Sequence, residues 1–158
     1  MSCGLAVAAV LLLADPNVAA SAAQPAAVAG DPMSVAGEPL FADIVSRASI
    51  LKGVVDGWSA SGAADQPGFF AGEAFTGFKT QAGELAALDM QGHIILRDRG
   101  VDGDLKCILR GISEDMPGRV AAIEAATSPQ ERAVALAELS HLFDDNVAVI
   151  TAPPAPEV

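Results

Sequence analysis

Two histidines, one internal cysteine and a short acidic stretch are the residues with which this chain could do chemistry. His93 and His141, joined by Cys107, Met90, Met116 or a carboxylate, offer the donor types of a copper, zinc or haem site held between helices. Their spacing does not match that use. There is no Cys-x-x-Cys-His for covalent haem and no His-x3-His pair, and the two histidines fall on different helical segments. They read as surface or core-edge residues, and the sequence predicts no metal and no cofactor. Cys107 lies in Leu105-Lys106-Cys107-Ile108-Leu109, a setting in which cysteine is expected to be a buried, inert apolar residue.

The stretch from Asp98 to Leu105 begins like an EF-hand calcium loop, with acids at positions 1, 5 and 7, glycine at 6 and an apolar residue at 8. Position 3 is Gly100 and position 12 is Leu109, so the bidentate acid that closes the calcium shell is missing. The simpler reading is a helix stop followed by a helix start: Gly100 ends one helix, and Asp102 or Asp104 caps the next. Glu114-Asp115 and Asp144-Asp145 pair carboxylates in sequence, but adjacent residues on a helix point in different directions, so these read as solvated faces rather than acid/base pairs. Neither a nucleophile elbow nor a phosphate-binding loop nor a metalloprotease helix is present.

Phe69, Phe70, Phe75 and Phe78 form the one dense aromatic group. It reads either as core packing or as an exposed contact surface for a partner.

The elements that must position these residues are helices. Phe41, Ile44, Ala48, Leu51, Val55 and Trp58 alternate at three- and four-residue steps and line one face of a first helix, expected over Pro39 to Ser59. Gly53 and Gly57 within it would mark a close approach of another helix. Ser61 to Gly68 is a breaker cluster and the longest internal loop. A second helix is expected from Phe70 to Asp98, with Phe78, Leu85, Leu88, Gly92 and Ile95 as its inner stripe. A third carries Leu105, Leu109, Ile112, Met116 and Ile123 inward, with Pro117-Gly118 expected to kink or divide it. The fourth starts at Ser128-Pro129-Gln130-Glu131, which joins an N-cap serine to proline at the first helical position and glutamate three residues after the cap. It carries Leu136, Leu139 and Phe143 inward and is expected to end near Asn146. Short connections make the last three helices antiparallel neighbours, so the expected fold is an all-α, up-down-up-down four-helix bundle between disordered tails.

The bundle is expected over residues 39–147, preceded by a signal peptide (1–22) and an Ala/Pro/Gly-rich linker (23–38) and followed by a Pro-rich tail (148–158). The signal reading rests on an apolar run from Leu5 to Ala14, the breaker Asp15-Pro16, and the small-x-small pattern Ala20-Ser21-Ala22. Met1-Ser2-Cys3-Gly4 departs from it by lacking Lys and Arg. The run is too short to span a bilayer, so no transmembrane span is expected in the mature chain. Removal of the segment takes Cys3 with it and leaves Cys107 without an intramolecular disulfide partner.

Composition narrows the partner class. The 158 residues are 51% hydrophobic and 4% aromatic with no tyrosine, which suits close helix packing. The net charge of −11 disfavours nucleic acid, whose phosphates are held by Lys and Arg. The expectation is therefore an acidic, noncatalytic helical protein, periplasmic or secreted, or cytoplasmic if the N-terminal segment is not a signal peptide, that binds another protein, regulates one or self-associates. The alternatives are a metal- or haem-binding bundle in the periplasm and a small enzyme whose site has no recognisable motif.

Overall fold

Apolar residues three and four apart share one face of a helix, and four such stripes pack here around one interior. The computed structural model describes residues 34–100 and 103–152, all within the unit Asp31–Val158. Among them are four α-helices: α1 (Pro39–Ser61), α2 (Glu73–Asp98), α3 (Leu105–Ala125) and α4 (Pro129–Thr151), with 3₁₀ turns at Ala63–Asp65 and Phe69–Ala71 between α1 and α2. Helix α2 packs on α1 and α3, and α4 on α3 and α1, so consecutive helices are neighbours around a square and α2 and α4 stand on its diagonal. This is the expected up-down-up-down bundle.

Several helix ends have a local cause. Pro39 opens α1 at a position where its missing N–H costs nothing, and Gly62, with φ of 66°, turns the chain out of α1 in the left-handed region that favours glycine. Ser128 caps α4 by accepting a hydrogen bond from the Glu131 backbone N–H at 3.2 Å. The Glu131 carboxylate reaches back and accepts from both the backbone N–H and the hydroxyl of Thr127, at 2.8 and 2.7 Å, which holds its pKa below the usual carboxylate range. Arg99, just past α2, grips Glu38, just before α1, through two bonds of 2.8 Å.

The core differs from the sequence reading in five places. Helix α2 starts at Glu73, because Phe70 belongs to the preceding 3₁₀ turn. Its inner stripe is Phe75, Phe78, Ala82, Leu85, Asp89, Gly92 and Leu96, an unbroken alternation of three and four, while the expected Leu88 and Ile95 are only half-buried. Pro117 does not divide α3, which is continuous through it. The proline is exposed, and Met116 and Val120 on either side of it are both buried, so both halves of the helix pack on the core. Helix α4 runs five residues past Asn146, because Val149 and Ile150 continue its buried stripe. Gly53 and Gly57 face open space, with nothing within 4 Å of where a Cβ would sit, so among the described residues they mark no close approach.

Val35 is also buried and packs on the core, so the folded part begins before Pro39. The signal-peptide segment and the Pro-rich stretch from 153 onward lie outside the described residues.

Candidate functional site

Hydrophobic burial fills most of the interior, and the heptad stripes themselves place two polar residues within it. On α2 the stripe passes through Asp89, and on α4 it runs Leu136, Leu139, Phe143, Asn146, Ile150. Both polar residues are fully buried. Asn146 Nδ2 donates to Asp89 Oδ2 at 2.8 Å across the diagonal of the bundle. Two acceptors of the pair, Asp89 Oδ1 and Asn146 Oδ1, have no hydrogen-bond partner. Burial pushes the Asp89 carboxyl up to about 7, against a smaller opposing effect of the Asn146 hydrogen bond. The nearby buried hydroxyl is already engaged: Ser113 Oγ on α3 donates to the Ala86 carbonyl of α2 at 2.7 Å.

The layer beside the pair is tight. A Cβ on Gly92, one turn after Asp89, would come within 3.2 Å of both Leu109 Cδ1 and Phe41 Cε1. Glycine at this position lets α1 and α3 approach α2 next to the polar pair.

Outside the core, a cleft of about 230 Å³ opens between α2 and α3, lined by Ala82, Gly83, Met116, Pro117, Val120 and Ala121. The ion pair of Lys79 with Glu124, at 2.7 Å, bounds it. A smaller hollow of about 40 Å³ lies where α1 and α4 meet the first 3₁₀ turn, lined in part by Trp58, Asp65 and Arg132. Neither cleft reaches Asp89 or Asn146, so a carboxyl with a pKa suited to acid/base catalysis has no substrate-sized access through them.

The residues singled out in the sequence are distributed as follows. His93 is half-buried with Nδ1 2.6 Å from the Lys106 carbonyl, which can only accept, so Nδ1 carries the proton. His141 is exposed on α4. Cys107 is exposed as well, contrary to the burial expected of it: Leu105 and Ile108 are half-buried and Leu109 fully buried, and Cys107 takes the solvent side of that turn. Met116 is buried and Met90 half-buried. Among the described residues no three of His, Cys, Asp and Glu come together as a metal cluster.

In the acidic stretch, Asp98 pairs with its neighbour Arg97 at 2.7 Å, Gly100 takes a φ of 66° as a helix-ending glycine, and Leu109, where calcium would need an acid, sits in the core. Asp104 stands at the start of α3 but makes no side-chain cap, and Asp102 lies outside the described residues. Glu114, Asp115, Asp144 and Asp145 are all exposed.

The aromatic group belongs to the bundle. Phe75 and Phe78 are buried, and Phe69 and Phe70 half-buried, in a chain of ring contacts with Trp58 and Phe143. The Trp58–Phe69 and Trp58–Phe78 centroids are 5.0 and 4.7 Å apart at steep angles, the edge-to-face arrangement aromatic quadrupoles favour. Phe75 and Phe78 are thus core residues rather than the contact surface considered for them. Arg132 closes this corner: its guanidinium lies 5.5 Å from the Phe70 ring centroid, pairs with Asp65, and donates to the Ala126 carbonyl at 3.0 Å.

Asp89 is polar, so a stripe of apolar residues on α2 bypasses it for Leu88 and Ile95. Strict alternation from Phe75 and Phe78 would have passed through Asp89 and, on α4, through Asn146. No family model, no curated protein and no solved structure matches the chain.

Proposed function

We propose that the chain is an exported, noncatalytic four-helix domain that binds another protein through the α2–α3 face. The observation that carries the reading is the open apolar cleft between Gly83 and Ala121, with Met116 and Val120 at its floor and the Lys79–Glu124 pair at its edge. Small residues on its rim let an approaching chain come close, and its volume suits one or two apolar side chains of a partner. The net charge of −11 favours a partner with a basic rim. Export is supported by the Leu5–Ala14 run and Ala20-Ser21-Ala22. Among the described residues no helix is long and apolar enough to cross a membrane.

A photo-crosslinking residue at Ala121, which is exposed, tests the interaction in the native host. It should trap a discrete protein adduct, and Gly83→Phe, which fills the cleft from a position with open space beyond its Cα, should abolish that adduct. No adduct, or one indifferent to Gly83→Phe, would refute the reading. The mass of the recovered chain tests export: an N-terminus near Ala23 supports it, and an intact Met1 overturns it.

A further inference from the structure

We propose that Asp89 and Asn146 hold a proton between them in the folded bundle, forming a cyclic acid–amide pair, and that its loss loosens the core, making the domain pH-responsive. This goes beyond the interaction reading and does not depend on it.

The argument starts from hydrogen-bond capacity. A carboxylate has no donor, and the side-chain amide has two donors and one oxygen acceptor. With Asn146 Nδ2 donating to Asp89 Oδ2, the two atoms left without partners are both acceptors, Asp89 Oδ1 and Asn146 Oδ1. One proton on Asp89 Oδ1 turns it into a donor for Asn146 Oδ1 and answers both deficits at once. The product is a two-bond ring, with amide N–H to acid carbonyl and acid O–H to amide carbonyl, and it carries no net charge in an apolar interior. A charged Asp89 would instead stand buried with a single neutral partner, an arrangement of high cost.

Among the described residues the surroundings supply no competing charge. The inward residues at this level are Phe41 and Ile44 from α1, Leu109 and Ser113 from α3, and Phe143 from α4, none of which titrates. On α2, His93 is one turn away with Nδ1 turned to the Lys106 carbonyl of α3, and Lys106 itself is half-buried. Asp43 on α1, Arg110 on α3, and Asp144 and Asp145 on α4 lie on exposed faces. Burial and the Asn146 hydrogen bond alone account for the displaced Asp89 titration, which lies near 7.

The direction follows from linkage. The folded-state pKa is raised above the ordinary value of 3.8, so between about pH 4 and 7 the folded chain holds a proton the unfolded chain has released. The stabilisation from this site is complete below the lower value, is lost as pH rises toward the upper one, and is absent above it.

Asp89→Asn in the full chain tests the pair, because an amide at 89 donates to Asn146 Oδ1 and accepts from Asn146 Nδ2 at every pH. The ratio of the two folding equilibrium constants, variant over wild type, should rise about tenfold per pH unit between pH 5 and 7 and then level off. Taking this ratio cancels the contributions of His93, His141 and the overall charge. A ratio flat across that range would overturn the proposal. The ¹³C carboxyl resonance of Asp89 in the wild-type chain gives an independent readout if Asp89→Asn fails to fold: a midpoint near neutrality supports the shared proton, and one in the ordinary carboxylate range refutes it.

Discussion

Asn146 and Asp89 join α4 to α2 through a 2.8 Å hydrogen bond across the bundle diagonal, where these two helices otherwise have little direct packing. A polar bond in that place specifies register, since sliding either helix by one turn would bury each group opposite an apolar side chain.

Removing one member should therefore cost more than removing both. Asn146→Leu deprives the buried carboxyl of its donor and should destabilise the fold by about 2–3 kcal/mol at pH 8. At pH 5, where the carboxyl is protonated in the folded state, the same change removes both bonds of the acid–amide ring but leaves no buried charge, so the two positions should remain coupled at either pH. The double change of Asp89 and Asn146 to Leu should recover most of the loss. Urea unfolding of the two single variants and the double variant at both pH values measures this coupling.

Glycines on one helical scaffold should respond in opposite directions. Gly92→Ala places a Cβ 3.2 Å from the fully buried Phe41 and Leu109, so overpacking should outweigh the gain in helix propensity and cost about 1 kcal/mol. Gly57→Ala on α1 meets nothing within 4 Å and should stabilise by about 0.5–1 kcal/mol. Thermal unfolding midpoints would separate the two signs.

Arg132 should be irreplaceable by lysine. Its side chain is 15% exposed and is used in three ways, through Asp65, the Ala126 carbonyl and the Phe70 ring, which the planar fork of a guanidinium can serve together and an ammonium cannot. Arg132→Lys is expected to lose about 1–2 kcal/mol, and the Trp58 fluorescence should shift as the aromatic corner loosens. Equal stability of the two proteins would show that the contacts are incidental.

Cys107 should label with a maleimide in the native protein at a rate close to that of the unfolded chain, because its side of α3 faces solvent. Protection exceeding tenfold would contradict the placement.

The placement of Cys107 illustrates which part of the molecule could be read from residues alone. The turn from Leu105 to Leu109 is apolar apart from Lys106, so composition could not say whether Cys107 or its apolar neighbours face out; that depends on where α2 and α4 stand around α3. The same limit applies to Phe75 and Phe78, whose burial depends on Trp58 and Phe143 arriving from other helices.

The sequence by itself determined the four helices, their order and most of their starts, because periodicity, proline, glycine and the Ser128 cap act within a few residues of chain. It also contained both polar seam positions, though nothing local shows that an aspartate on one helix will meet an asparagine 57 residues later. Tertiary packing decided that. By excluding water from the space between α2 and α4, it turned two ordinary polar residues into a buried pair whose proton balance differs between the folded and unfolded chain.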